Sequence, residues 1–261
     1  MTEDKSYRKI LVAREGPVLT IKINRPEKRN AIDDELLLEL ENAFLDTAPE
    51  VKCILLCGEG DHFSAGLDLS ALEEKDAVAG LRHSLMWHRV MDHIRFGLAP
   101  VIAVLRGACV GGGLELAAAC HIRVAEESAF YALPEGQRGI FMGGGGSVHL
   151  PGLIGLAVMT DMMLTGRVIP AAEGSRLGFS QYLVENGKGM DHARGLAEKI
   201  SANSSLTNYA LTHVLPRIAD SPREQGLMME SLMAAIAQQS PEAKERLKLF
   251  LEGKAPKLGG A

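Results

Sequence analysis

Short strand-like segments alternate with helical segments over the first half of the chain, and this order constrains the fold more than any other feature. Residues 17–24 alternate apolar and polar side chains, as half-buried strands do, and residues 51–57 and 101–105 are mostly apolar. A helix is predicted over 76–97, and helical patterns dominate after about residue 145. This order predicts an α/β fold with a helical C-terminal region.

Apolar residues also mark the first helix. Leu36, Leu37, Leu40 and Phe44 fall on one stripe at helical spacing, and Asp33 or Asp34 precedes them as a helix start. The stripe therefore predicts an amphipathic helix with one face in the core.

The charge balance argues against nucleic-acid and membrane partners. The chain has 28 Lys and Arg against 33 Asp and Glu, a net charge of −5, and no basic face is visible. The N-terminus lacks the apolar segment of a secretory signal, and the most apolar stretch, 98–122, is interrupted by Arg106, Glu115 and four glycines. The four cysteines form no CxxC pair, which favours reduced core thiols and a cytoplasmic protein.

Several common site motifs are missing. The glycine-rich stretch 107–113 lacks the spacing of a dinucleotide-binding fingerprint, and neither Gly-Lys pair is followed by Ser or Thr, as a P-loop requires. His83, His88 and His93 are five residues apart, so they would not share a helix face as metal ligands do. We therefore predict no metal site.

Two glycine-containing loops each precede a probable helix start, FSAGLDL at 63–69 and GGGLEL at 111–116. Glycines let backbone N–H groups approach a ligand, and a helix N-terminus adds unpaired donors. Two such loops could direct two amides at one carbonyl oxygen, forming an oxyanion hole. Glu115 follows directly on an otherwise apolar helix start, where a buried carboxylate is costly without a function or an ion-pair partner.

Five motifs occur in an order that resembles the crotonase, or enoyl-CoA hydratase/isomerase, superfamily. They are NRPEKRNA (24–31), FSAGLD (63–68), GGGLELA (111–117), the PEG to GGGG run (134–146) and LTGR (164–167). The resemblance implies a crotonase ββα-spiral core with the active site over 1–195 and a helical trimerisation region over 196–261. It also implies acyl-CoA thioester substrates, no cofactor other than the CoA of the substrate itself, and a homotrimer or dimer of trimers.

The resemblance assigns binding roles residue by residue. The backbone N–H groups of Leu67 and Gly112 would hold the thioester oxygen. The expected CoA contacts are Lys28, Ala65, Leu67, Asp68 and Leu69. Ser70 stands where many hydratases carry a Lys, so this position lacks the ammonium group that the resemblance implies as a phosphate contact.

Hydratases of this family carry a carboxylate at both positions matched by Glu115 and Glu135, whereas isomerases typically keep only the second. Hydration needs a base for the water at C3 and a proton for C2, and two carboxyls held close together should not both ionise easily. We therefore predict an enoyl-CoA hydratase in which Glu115 activates water and Glu135 delivers the proton. The alternatives are an acyl-CoA isomerase or thioester hydrolase, a structural ion pair at Glu115, and pairing of Glu135 with Arg138.

Trp87-His88 is similar to a pair in the 4-chlorobenzoyl-CoA dehalogenase branch of the superfamily. The nucleophilic Asp of that branch would fall at Gly143, so the sequence argues against dehalogenation. We predict that His88, Trp87 and Gly143 line the acyl pocket, with His88 as a helix packing residue the alternative. A catalytically idle binding protein of the same fold is the rival from another functional class.

Overall fold

The computed structural model describes residues 7–71 and 76–254, and it divides into two compact units. The first runs to Ser201 and the second starts at Ala202. The division therefore follows the end of a helix, Gly189–Ser201, whereas the sequence-based boundary at 195–196 falls inside that helix. The trimerisation role expected for the second unit stays a prediction.

The described elements follow the predicted order of strands and helices. The strands are β1 Ile10–Glu15, β2 Val18–Ile23, β3 Cys53–Gly58, β4 Val101–Leu105, β5 Ala108–Val110, β6 Ile122–Glu126, β7 Phe130–Ala132, β8 Ile169–Pro170 and β9 Tyr182–Val184. The helices of the first unit are α1 Asp34–Leu45, α2 Ala77–Arg95, α3 Gly112–Ala119, α4 Gly146–Ile154, α5 Leu156–Thr165, α6 Ala171–Arg176 and α7 Gly189–Ser201. Those of the second unit are α8 Ser205–Tyr209, a π-helical turn Ala210–Val214, α9 Leu215–Ala219, α10 Arg223–Gln238 and α11 Pro241–Leu251.

Six strands form the main sheet in the order β1-β2-β3-β4-β6-β9, and β5-β7-β8 form a smaller one. Only the β1–β2 pair of the main sheet is antiparallel; the other neighbours are parallel. All residues of β3 and β4 are buried, as expected for strands covered on both faces, whereas β2 alternates between buried and half-buried positions. The predicted α/β class is confirmed.

The first helix has the predicted cap and core face. The Asp33 carboxylate accepts a hydrogen bond from the Leu36 amide at 2.9 Å, which satisfies one donor at the helix start. The predicted stripe of Leu36, Leu37, Leu40 and Phe44 is buried. Asp76 caps α2 in the same way through the Ala79 amide at 2.7 Å.

The four cysteines are buried and unpaired, as predicted. Burial raises the pKa of Cys53 and of Cys120 to about 12, so these thiols stay protonated at neutral pH. They act as small core side chains.

Within the described residues, no single helix is long and apolar enough to cross a membrane. Only α4 and α5 taken together have the length and composition of a span, and their axes are bent by 118°.

Asn30 ties the RPEKRN turn to the loop that leads into the candidate site. Its side chain is buried, accepts from the Arg25 amide at 2.9 Å, and donates to the carbonyls of Glu59 and His62 at 2.9 and 2.7 Å. Its φ of +56° lies in the left-handed region, which Asn tolerates better than most residues. The Ser64 hydroxyl donates to the Asn30 carbonyl at 2.8 Å, so the turn and the loop 59–65 form one unit.

We expect Asn30→Ala to destabilise the protein by about 3–5 kcal/mol, because three buried backbone groups lose their partner and alanine is strained at this φ. Asn30→Gly loses the same hydrogen bonds without the strain, so it should be about 1 kcal/mol more stable than Asn30→Ala. Urea denaturation of the three proteins at equal concentration checks both expectations. A wild-type midpoint for Asn30→Ala would contradict them.

Candidate active site

A cavity of about 320 Å³ lies in the first unit where the two glycine-containing loops meet. We call it the site cavity. Four segments line it: the loop 65–69, one face of α2, the start of α3 and the loop 135–144. The predicted site residues that line it are Ala65, Leu67, Leu69, Trp87, Gly112, Glu115, Glu135 and Gly143.

The amides of Leu67 and Gly112 lie close together at one side of the site cavity. A Cβ atom at Gly112 would be 3.5 Å from the Leu67 nitrogen, and one at Gly66 would be 3.1 Å from the Gly112 nitrogen. Two bonds with Ile32 hold the first loop: the Ile32 amide donates to Gly66 at 2.8 Å, and the Asp68 amide donates to Ile32 at 2.8 Å. In the described part of the chain neither the Leu67 nor the Gly112 amide has an acceptor, so both are available to a ligand oxygen.

Gly66 is required at this crossing of the two loops. Its φ is +85°, and a Cβ atom there would lie 2.5 Å from the Val110 carbonyl oxygen. Any larger residue would push the loop 65–69 away from the start of α3 and separate the two amides.

Glu115 lies in the first turn of α3 and is 4% exposed. One carboxylate oxygen, Oε1, accepts from the amides of Gly144 and Gly146, both at 2.9 Å. Burial raises the pKa of Glu115, and these two amides oppose that rise because they stabilise the ionised form. An ion pair for Glu115, one of the structural alternatives, does not occur among residues 7–71 and 76–254.

Glu135 has a different environment on the same cavity. It is 7% exposed, and its Oε2 is buried without a hydrogen-bond partner among the described residues. Burial raises the pKa of Glu135, and its own backbone amide opposes that rise; the nearby charge of Glu115 raises the pKa further, while Arg138 lowers it. Arg138 also lines the cavity but forms no ion pair with Glu135 in the described structure.

The carboxyls of Glu115 and Glu135 therefore affect each other's charge, but the protein gives them different hydrogen-bond donors. Two amide donors favour a charge on Glu115, whereas Glu135 has an unpartnered oxygen and a negative neighbour. Such a pair favours one ionised and one protonated carboxyl.

Helix α2 supplies one wall of the cavity through residues that sequence reasoning missed. His83 and Ser84 line it together with Trp87. The Ser84 hydroxyl donates to the Gly143 carbonyl at 2.6 Å, and His83 Nε2 lies 2.9 Å from Asp34 Oδ1. Their spacing of three and four residues from Trp87 is the signal that could have found them, because such residues share a helix face.

His88 is not among the residues that line the site cavity. Its side chain is exposed, and its Nε2 lies 3.4 Å from the Ser84 hydroxyl. Trp87 on the same helix is buried and lines the cavity, whereas the next side chain along the helix is exposed. Of the three residues predicted for an acyl pocket, Trp87 and Gly143 line the site cavity and His88 does not.

Asp68 and Lys28, predicted as CoA contacts, bind each other and do not line the cavity. The buried Asp68 carboxylate accepts from Arg25 at 2.9 Å, from Lys28 at 3.0 Å and from the Ser70 hydroxyl at 2.6 Å. The Ser70 bond, together with the two cations, lowers the pKa of Asp68 well below its usual range. Asp68 is thus bound by groups of its own chain and shapes the loop.

Lys28 also donates to Ser70, at 2.9 Å, and its side chain is 44% exposed. Ser70, at the position where a Lys was expected, therefore holds the ammonium of another lysine close to the loop 65–69.

Comparison with known proteins gives a consistent result. The family model for enoyl-CoA hydratase/isomerase matches residues 13–260. Enoyl-CoA hydratase EchA19 of Mycobacterium tuberculosis is 31% identical over 251 residues, 94% of each chain. The 2,3-dehydroadipyl-CoA hydratase of Escherichia coli K12 is 31% identical over 257 residues, 96% of this chain and 98% of that protein.

Solved structures agree with these sequence matches. A Rhodopseudomonas palustris protein is 57% identical, with a TM-score of 0.92 over 94% of this chain and 95% of that one. An enoyl-CoA hydratase from Bacillus anthracis is 29% identical, with a TM-score of 0.88 over 97% and 100% of the two chains. The predicted crotonase fold is confirmed.

The environment of Glu135 predicts a pH-dependent stability. Because its folded pKa is raised, the contribution of this carboxyl to stability is fully present at low pH and is lost as pH rises through the folded pKa, at about 1.4 kcal/mol per pKa unit. Glu135→Gln cannot ionise. We therefore expect the melting temperature of the variant minus that of the wild type to be more positive at pH 8 than at pH 5.

Glu127→Gln, at an exposed position, is the matched control and should show no such trend. A difference for Glu135→Gln that is constant between pH 5 and pH 8 would contradict the assignment. Thermal unfolding followed by circular dichroism in one buffer series makes the measurement.

Proposed function

The chain belongs to the enoyl-CoA hydratase/isomerase family, and on that premise we propose that it adds water across the 2,3 double bond of an acyl-CoA thioester, with Glu115 and Glu135 as its catalytic residues. The observation that carries this proposal is the pair of buried, unequally partnered carboxyls on the same cavity as two available backbone amides.

The amides of Leu67 and Gly112 would bind the thioester oxygen. Addition of hydroxide at C3 moves electron density onto that oxygen, so donors placed there stabilise the transition state more than the substrate. The position of Gly112 at the start of α3, and the lack of other acceptors for both amides in the described residues, support this role. Loss of one such donor typically costs about 10²–10³ in rate.

Glu115 is the base in this proposal. The amides of Gly144 and Gly146 favour its ionised form, and its second oxygen accepts no hydrogen bond within the described residues. That oxygen can take a proton from water while the water oxygen bonds to C3.

Glu135 is the acid in this proposal. Its burial, its unpartnered oxygen and the charge of Glu115 favour its protonated form over its ionised form. It delivers this proton to C2 as the enolate collapses, after which Glu115 holds one proton and Glu135 none. Transfer of a proton from Glu115 back to Glu135, directly or through water, restores the starting state. These steps use only groups of the chain and the substrate, with no separate cofactor.

The presence of Glu115 favours hydration over double-bond isomerisation, which needs a single group to move a proton along the acyl chain. Thioester hydrolysis would need the activated water to attack C1 rather than C3. Incubation with crotonyl-CoA separates the outcomes: hydration removes the enoyl absorbance, and hydrolysis releases a free thiol.

We expect Glu115→Gln and Glu135→Gln each to lower kcat for crotonyl-CoA hydration by about 10²–10⁴, because each variant removes one proton-transfer group. The loss of absorbance at the enoyl band measures the rate, and circular dichroism checks that the variants remain folded.

Glu126→Gln is the matched control. Glu126 is also buried, and it accepts from the Gly189 amide at 3.1 Å, but it does not line the site cavity. It should keep wild-type kcat. Turnover within threefold of wild type in either Glu115→Gln or Glu135→Gln would refute the role of that residue.

We further propose a cytoplasmic homotrimer or dimer of trimers. Exposed apolar residues on α10, at helical spacing, support a subunit interface in the second unit: Leu227, Met228, Leu232 and Ile236. The unpaired buried cysteines support a reducing compartment.

Light scattering coupled to size exclusion should give a mass three or six times the chain mass of 28.0 kDa. Leu232→Glu should lower this mass, because a charge at an apolar interface opposes association. A monomer for the wild-type protein would rule out the assembly.

A further inference from the structure

The indole of Trp87 is packed between the two segments that carry the proposed chemistry. Trp87 is 4% exposed. A Cβ atom at Gly112 would lie 2.6 Å from its Cη2, and one at Gly144 would lie 2.9 Å from its Cε3. The ring therefore touches the residue of one oxyanion amide and the residue whose amide holds Glu115, with no room for one more carbon on either side.

This position places the indole in the path of the acyl chain. With the thioester oxygen at Leu67 and Gly112 and the double bond between the two carboxyls, the acyl carbons beyond C3 would meet Trp87, because its ring lies next to both Gly112 and Gly144. A site cavity of about 320 Å³ is near the lower end of the range for small-molecule sites, about 300–1,000 Å³. It must also admit the thioester end of the pantetheine arm.

The indole is also held in place. Its Nε1 lies 3.4 Å from His83 Nε2, and His83 contacts Asp34 on α1 at 2.9 Å. The Ser84 bond to Gly143 fixes the same face of α2 to the opposite loop. In a close-packed interior a ring with these neighbours cannot move aside for a longer substrate. Phe141, also at the cavity, is 72% exposed and has no such enclosure.

We propose that Trp87 is the specificity-determining residue that restricts this site to short-chain 2-enoyl groups. The inference rests on the proposed function and goes beyond it, because the family contains enzymes for different acyl groups and the two carboxyls do not select among them.

The test compares kcat/KM for the C4, C6 and C8 trans-2-enoyl-CoA esters. The wild type should prefer C4 over C8 by at least tenfold. Trp87→Leu removes the ring and opens the end of the cavity, so the ratio of C8 to C4 activity should rise at least tenfold. Trp87→Phe, with a smaller ring, should shift the preference toward C6.

Leu85→Ala is the matched control. Leu85 is on the same helix and 48% exposed, and it does not line the site cavity, so its chain-length profile should match that of the wild type. The ratio of activities is the readout, because loss of the indole also loosens Gly112 and Gly144 and lowers turnover of every ester.

Equal wild-type kcat/KM for the C4 and C8 esters would overturn the proposal. This measurement needs no variant, so the proposal can be tested even if Trp87→Leu fails to fold. An unchanged ratio in folded Trp87→Leu or Trp87→Phe would also overturn it. Absence of hydration for all three esters in the wild type would instead refute the proposed function.

Discussion

Two backbone amides, from Gly144 and Gly146, hold the buried carboxylate of Glu115, and the geometry of the site follows from this interaction. A carboxylate at the start of an apolar helix would be costly without donors. The donors lie 29 and 31 residues further along the chain, one in the loop before α4 and one at its first residue, so the interaction joins α3 to the start of α4. The hydroxyl of Ser84 binds the carbonyl of Gly143 in the same loop and adds α2 to the assembly.

The same interaction makes the two carboxyls different. Glu115 and Glu135 are both buried and both raised in pKa, yet only Glu115 accepts two amide bonds. The unpartnered oxygen of Glu135 is a cost to the folded protein that no nearby donor offsets in the described structure. Under the proposed mechanism this cost has a use, because it keeps a proton on the acid at the pH where the base is charged.

Close approach of backbone segments explains the glycines of the site. At Gly66 the chain passes within contact distance of Val110, and at Gly112 and Gly144 it packs against the Trp87 ring. These contacts bring two amides, two carboxyls and an aromatic wall around a small cavity. The site forms only where the four segments that line the cavity come together: the loop 65–69, α2, the start of α3 and the loop 135–144.

The sequence by itself determined the α/β order and the core stripe and cap of α1, because these depend on local periodicity. It also determined the family, and it pointed to Glu115 and Glu135 as candidate site residues, because both lie in short contiguous motifs. The sequence pattern did not predict features that are set by tertiary packing. The strands β6 and β7 follow each other closely along the chain, yet they lie in different sheets. Tertiary structure alone decided that His83 and Ser84 face the cavity while His88 does not, and that Asp68 binds Arg25 and Lys28. The reason is physical: a hydrogen bond or ion pair between residues 40 or more positions apart is set by how helices and strands pack, and no local pattern carries that information.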